Sequence, residues 1–385
     1  MYTSHINNIH VEITDRCNAE CPVCPRSYGG SHEMPYVKNK ELGLDYFKLL
    51  GAEFISKIEH WNFCGVKGDP ASAQELFEVL DFILDCNPET EIDIRTNGGA
   101  RNEKFWTKVG ERFKGKSCQV VWSVDGWEDT NHIYRRNVKW SKLFANLTAY
   151  IKTGANSRWE FNKFQHNMKD LGTITSFCNR YNIHLDVREP YGFSVITDEK
   201  IRASVDSREN VEQHGIDVKL NPVVTKIKSI PVYKRKDEEI SVLDYTIKPS
   251  GVPEDKILDE HDFKEHSIKD WKPGVYPLDQ FLHYKNSVQE IDCMAVHNTQ
   301  EIYIDSNGMI FPCCYTAGKF HMGDEQTNEM FRPYKRQLRL TEDQSIYDIL
   351  NLDLFKKVMP DGMSGNLDDE IGYCITCVQQ CGKNI

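Results

Sequence analysis

Three cysteines, Cys17, Cys21 and Cys24, stand within eight positions of one another in DRCNAECPVCPRS, residues 15–27. In a chain without a secretion signal, such clustering reads as metal chemistry rather than as disulfides. A zinc site closes its sphere with a fourth Cys or His at short spacing. The nearest histidine, His32, is an awkward candidate for that place. Three structural cysteines by accident are improbable at this spacing. The third reading is a 4Fe–4S cluster held by three thiolates, with one iron left open for a substrate or cofactor.

Ten further cysteines follow, thirteen in all. Cys64, Cys86, Cys118 and Cys178 are scattered in apolar or helical surroundings and read as core thiols. Cys293, Cys313, Cys314, Cys374, Cys377 and Cys381 form a C-terminal group. Asn307-Gly308, between EIYID and MIFP, is a hairpin turn that brings two cysteine-bearing ends together. Adjacent Cys313 and Cys314 would point to opposite faces if extended, so one of them is expected to ligate. Cys374-x2-Cys377 suits zinc as well as an iron–sulfur cluster.

The elements that must position these thiols alternate. Strand-like stretches occur at 8–14, 57–64, 91–96, 119–124, 158–164 and 183–188. Helical stretches fall near 40–56, 102–114, 141–152 and 168–182. Ser72 and Glu75 have capping-box spacing ahead of Leu76, Leu80 and Ile83 on one helical face. Six strand–helix units in series imply an α/β fold, a parallel sheet curled into a full or partial barrel. The active site of such a fold lies at the C-terminal strand ends, and the first cysteine loop directly follows the first strand.

Cys17-x3-Cys21-x2-Cys24 after the first strand of a βα series resembles the radical S-adenosylmethionine superfamily, over residues 8–190. The resemblance implies a partial (β/α)6 barrel whose open iron chelates S-adenosylmethionine. The cofactor is then cleaved to a 5′-deoxyadenosyl radical that removes hydrogen from a substrate. Phe63 to Pro70 resembles the second-strand motif that contacts the cofactor's amino group, which makes Gly68 and Asp69 cofactor-binding candidates. Lys67 and Asp69 depart from the commonest residues there. Thr96-Asn97-Gly98 matches the third strand end, and Ser123-Val124-Asp125-Gly126 the fourth, where Ser123 or Asp125 would reach the ribose. His132, Tyr134, Arg135 and Arg136 follow as in members of the superfamily. Arg135 there would pair with the cofactor carboxylate. Asn167 is a further candidate, and Val23 stands where many members carry an aromatic.

Cys293-x14-Gly308-x4-Cys313 followed by Cys374-x2-Cys377 resembles the SPASM/Twitch extension of the same superfamily. The chain has too few cysteines in that pattern for two clusters. The resemblance implies a Twitch-type domain, a β-hairpin plus helix, with one auxiliary 4Fe–4S cluster on Cys293, Cys313, Cys374 and Cys377. Cys314 or Cys381 could take part in a different ligation, and zinc on the same four cysteines is the alternative. The expected division is a barrel over 1–194, a linker or insert over 195–292 that could cover the active site, and the auxiliary domain over 293–385.

A net charge of −11 argues against a general nucleic-acid partner. No run of about 18 apolar residues suggests a membrane span, and no signal segment is visible, so a cytoplasmic enzyme is expected. An external electron donor such as flavodoxin or ferredoxin is implied. The chain enters its first strand within about ten residues, so a leader-binding domain ahead of it is not expected. A small polar molecule is therefore the expected substrate, ahead of a peptide or protein. A non-turning-over iron–sulfur carrier or sensor is the reading from another class.

Overall fold

The computed structural model describes residues 6–21, 24–28, 32–164, 166–188, 229–232, 241–244, 288–293, 295–296, 300–365 and 373–384. Most of the 195–292 segment, the expected cover, lies outside the described residues, as does Val23.

Eight strands form one hydrogen-bonded sheet. They are β1 (Asn8–Val11), β2 (His60–Phe63), β3 (Glu91–Thr96), β4 (Cys118–Ser123), β5 (Asn156–Asn162), β6 (His184–Arg188), β7 (Glu301–Ile304) and β8 (Ile310–Phe311). Their order is β8-β7-β1-β2-β3-β4-β5-β6. β1 runs parallel to both β2 and β7, and β5 runs parallel to both β4 and β6. The six strands of the first half and the mixed α/β class are as the sequence implies. The C-terminal hairpin is also present, with Tyr303 opposite Phe311 and Ile304 opposite Ile310. Asp305 Oδ1 accepts from the Asn307 and Met309 N–H groups, and Gly308 takes the left-handed conformation such a turn requires (φ 76°). The sequence did not foretell that β7 would pair alongside β1 and extend the sheet.

The chain divides into two compact units, residues 1–15, 38–92 and 272–385 in one, and 16–37 and 93–271 in the other. In the first, α1 (Leu44–Leu50) and α2 (Leu76–Cys86) pack on each other, and Phe47 of α1 meets Trp61 and Phe63 of β2. Phe47, Trp61, Phe63, Leu76, Leu80 and Ile83 are fully buried there. Two expectations about this unit are corrected. The helix expected over 40–56 breaks at Gly51 (φ 86°) into Leu44–Leu50 and Ala52–Ile55. The expected capping box is not formed, because Ser72 belongs to a 3₁₀ turn, Pro70–Ser72, and Glu75 is itself the N-cap of α2. The Glu75 carboxylate instead accepts the Leu44 N–H at the start of α1 (2.8 Å).

The second unit is built on α3 (Glu103–Phe113), α4 (Trp140–Ile151) and α5 (Leu171–Arg180). One face of β4 and β5 presents Trp122 and Trp159. Trp122 packs on Trp106 of α3 (4.8 Å) and Tyr150 of α4 (5.7 Å). Trp159 packs on Trp127 and on Phe177 of α5. Their polar tips are satisfied, as burial demands: Trp122 Nε1 donates to Ser157, Trp159 Nε1 to the Val124 carbonyl, and Tyr150 Oη to the Asn156 carbonyl. The opposite face is polar. In register, Val121, Arg158 and His184 form one row, and Ser123, Glu160 and Asp186 the next. Parallel sheets usually bury apolar residues on both faces, so this polarity needs a reason.

The turn after β3 depends on a buried amide. Asn146 of α4 donates from Nδ2 to the carbonyls of Gly98 (2.8 Å) and Ala100 (3.1 Å). Asn146→Ala would leave both acceptors buried without that donor, a loss of about 1–3 kcal/mol. Scanning calorimetry should show a melting temperature lowered by several degrees. An unchanged temperature would mean that the turn holds itself.

Candidate functional site

The cysteine loop opens four residues after β1 ends. Cys21 is buried, whereas Cys17 and Cys24 are half-buried. The Cys24 N–H donates to the Cys21 carbonyl (3.2 Å), which folds the loop back on itself. Two donors point at the Cys17 sulfur, the Ala19 N–H (3.4 Å) and Asn97 Nδ2 (3.6 Å). Arg135 Nη1 lies 4.0 Å from the Cys21 sulfur. Burial pushes the Cys21 thiol up to about 11, Arg135 pulls it down, and the neighbouring Cys24 and Asp125 add to the rise. Unliganded, this thiol is therefore protonated at neutral pH; a metal would have to displace that proton.

Two sequence candidates shape the third strand end. Thr96 Oγ1 accepts the Gly98 N–H (3.0 Å), and Asn97 Oδ1 accepts the Gly99 N–H (2.7 Å). Asn97 Nδ2 also donates to Asn18 in the cysteine loop (3.1 Å). Gly98 is obligatory, since its φ is 72° and a Cβ would sit 2.2 Å from Leu143. Thr96 and Asn97 thus hold the turn and bind it to the loop.

At the fourth strand end, Ser123 closes β4 opposite Glu160. Asp125, with no exposed surface, accepts Arg135 Nε at 2.5 Å and the Asn162 N–H at 2.7 Å. Burial pushes its carboxyl up, opposed by Arg135 and by the Asn162 N–H. The guanidinium expected to meet a cofactor carboxylate is thus paired with Asp125, with Nη1 directed at Cys21. Tyr134 packs on Phe164 (4.5 Å), and Arg136 receives the Glu20 N–H on its carbonyl. Asn167 spends its amide on main chain: Nδ2 donates to the Asp125 and Asn162 carbonyls, and Oδ1 accepts the Phe164 N–H.

Gly68 and Asp69 belong to the other unit. A Cβ on Gly68 would meet the Thr14 carbonyl oxygen at 1.8 Å, so only glycine allows this close approach of loop to strand end. Asp69 caps the Pro70–Ser72 turn by accepting the Ala71 N–H. The sequence reading passed over Glu12, which has no exposed surface. Its carboxylate accepts the Lys67 and Gly68 N–H groups, pairs with Lys67 Nζ (3.2 Å) and takes the Tyr303 hydroxyl (2.9 Å). A single carboxylate inside the apolar run IHVEIT was the signal that could have found it.

Cys293, Cys374 and Cys377 are buried and Cys313 is half-buried. Cys313 is the N-cap of α6 (Cys314–Met322), and Cys374 that of α7 (Ile375–Cys381). These four feel one another. Burial pushes Cys313 up to about 11, with Cys293 adding. A hydrogen bond from Cys377 eases ionisation of Cys374 and hinders its own, and Cys313 and Cys293 raise Cys377 further. Burial pushes the Cys314 thiol well up, with Cys313, Glu301 and Cys64 adding to the rise. The Cys381 carbonyl accepts the Asp292 N–H.

All thirteen cysteines are free thiols. Among the described residues no three His, Cys, Asp or Glu side chains stand at metal-holding distances. The donor chemistry fits iron–sulfur groups all the same: both sets are sulfur only, and the first has amide donors aimed at sulfur. No helix among the described residues is long and apolar enough to cross a membrane.

No protein-family model matches the sequence, and no curated protein matches it. Solved structures do match in fold. Streptococcus suis SuiB bound to S-adenosylmethionine aligns over 96% of this chain and 72% of its own, at 14% identity and a TM-score of 0.51. SuiB bound to its precursor peptide SuiA aligns over 92% and 67%, at 12% identity and a TM-score of 0.50. The chain therefore shares the fold of SuiB, the α/β arrangement that its likeness to the radical S-adenosylmethionine superfamily implies.

Proposed function

We propose that this protein is a radical S-adenosylmethionine enzyme that removes a hydrogen atom from a small polar molecule and oxidises or otherwise modifies it. The observation that carries this reading is the three-thiol loop after β1, sulfur only and one protein ligand short, on a fold shared with an S-adenosylmethionine-bound protein. Cys17, Cys21 and Cys24 would hold a 4Fe–4S cluster, which with S-adenosylmethionine bound supplies the electron that cleaves the cofactor and releases its radical. An external flavodoxin or ferredoxin would be the electron source. Thirteen free thiols suit a reducing, cytoplasmic setting.

The residues around the loop have definable tasks in this reading. Ala19 and Asn97 donate to the Cys17 sulfur and would favour its thiolate form. Arg135, held by Asp125, sets a fixed positive charge beside Cys21. Glu12 fixes the Lys67–Gly68 main chain, so that the 67–70 loop keeps its shape against Thr14. Gly68, Asp69, Thr96, Asn97, Ser123, Asp125, Arg135 and Asn167 are proposed to frame the cofactor, several of them through the main chain they hold. Cys293, Cys313, Cys374 and Cys377 are proposed to hold an auxiliary 4Fe–4S cluster in a Twitch-type domain over 293–385, with the barrel over 1–194 and a cover over 195–292.

A second reading, peptide modification, is favoured by one observation: SuiB, which shares this fold, is bound to a precursor peptide in one of its structures.

Replacing Cys17, Cys21 or Cys24 singly by Ala should abolish formation of 5′-deoxyadenosine by the anaerobically reconstituted protein, followed by mass spectrometry. Cleavage that survives all three replacements would end the radical reading. Metal analysis tests the second thiol set. Two clusters imply about eight irons per chain, against about four if the C-terminal thiols bind zinc. A Cys374→Ala/Cys377→Ala variant should lose about half the iron and still cleave the cofactor slowly. Full iron retention in that variant would remove these cysteines from the ligand set.

A further inference from the structure

The polar face of β4, β5 and β6 lies opposite the one on which Trp122 and Trp159 meet the helices. Its carboxylates are all engaged. Glu160 is paired by both Arg95 and Arg188, Asp186 by Arg188 (2.5 Å), and Asp93 by Gln119 (2.8 Å) with Arg95 at 3.7 Å. One guanidinium is left over. The half-buried side chain of Arg158 makes no ion pair or hydrogen bond among the described residues, and its Nε is shut off from solvent with no partner. Beside it in register stand Val121 and His184, neither of them an acid. Buried donors are almost always matched, and a guanidinium carries a fork of donors suited to a carboxylate or a phosphate.

We propose that this face is the substrate-binding surface and that Arg158 seats an anionic group of the substrate, a carboxylate or a phosphate. Naming the bound molecule the substrate rests on the proposed function; the anion site itself does not. Three features support the assignment. The paired Arg95–Glu160–Arg188 array holds its members to one another, so it offers a fixed polar wall rather than competing carboxylates. Val121 gives an apolar neighbour that keeps water from replacing the anion on one side. His184, exposed and adjacent, adds a donor at the open side. A small molecule with one anionic end and a polar body matches this surface.

Calorimetric titration of the full chain at low ionic strength, with sodium malonate in one arm and inorganic phosphate in the other, tests the proposal. One of the two should bind saturably at one per chain, and which one does so identifies the anion. Arg158→Gln should weaken that binding about tenfold, as expected for loss of a charge-assisted pair. Should that variant fail to fold, the wild-type chain decides: the bound anion should slow phenylglyoxal modification of Arg158 about tenfold, mapped by peptide mass, without slowing that of exposed Arg101. Binding of neither anion, or undiminished binding by folded Arg158→Gln, overturns the proposal. Unaltered labelling of Arg158 overturns it as well. Deoxyadenosine formation measured alongside separates the two claims: cleavage without an anion site sinks only this inference, and an anion site without cleavage sinks only the radical reading.

Discussion

Asp125 is a carboxylate with no contact with water, and the geometry of its unit follows from how it is satisfied. A buried charge without partners is prohibitive. Here one oxygen takes Arg135 and the other the Asn162 N–H, while the residue's own N–H donates to Asn131 and its carbonyl accepts Asn167. Four segments are thereby tied together: the ends of β4 and β5, the short Asn131–Tyr134 helix, and the turn after β5. Arg135 carries the constraint onward to Cys21, and the Glu20 N–H on the Arg136 carbonyl and Asn137 on the Asn18 carbonyl fasten the cysteine loop to the same region. Removing one partner from such a pair leaves the other charge buried alone, which is why the cluster acts as a unit.

Glu12 plays the corresponding part in the other unit. It is fully buried in the segment just past β1, and it collects two main-chain N–H groups, an ammonium and a phenol hydroxyl. Tyr303 belongs to β7, so the hairpin that leads to Cys313 and the loop that carries Gly68 meet on one carboxylate. Asp305, two residues on and also buried, pairs with His321 of α6 at 2.6 Å. Burial alone would raise its carboxyl, but His321 and Lys67 outweigh it and hold the group low. The C-terminal thiol region is thus anchored through polar groups as well as through apolar packing.

The strand–helix alternation was legible in the sequence because strand runs such as QVVWSV and helix faces such as Leu76, Leu80 and Ile83 carry distinct periods. The Asn307-Gly308 turn was legible because few residues tolerate its conformation. Side-chain partners were not legible. Arg135 reads as a free cation in sequence, yet Asp125 takes it; Asn167 reads as a ligand, yet three main-chain groups take it. Glu75 reads as a partner for Ser72, yet a neighbouring helix start offers it the Leu44 N–H. Each of these choices is settled by residues distant in sequence. The polar face was half visible: alternation in EIDIRT, RWEFNKF and IHLDVR marks one charged face, while the pairing that leaves Arg158 over appears only in three dimensions.

The central claim is that the loop of Cys17, Cys21 and Cys24 carries a cluster with an iron open to S-adenosylmethionine. Electron paramagnetic resonance of the reduced, anaerobically reconstituted protein tests it most directly, using the Cys374→Ala/Cys377→Ala chain so that only the first thiol set contributes. A reduced 4Fe–4S signal that changes shape when S-adenosylmethionine is added, and not when methionine-free adenosine is added, is the result this account predicts. A cluster signal that saturating S-adenosylmethionine leaves unaltered would contradict it.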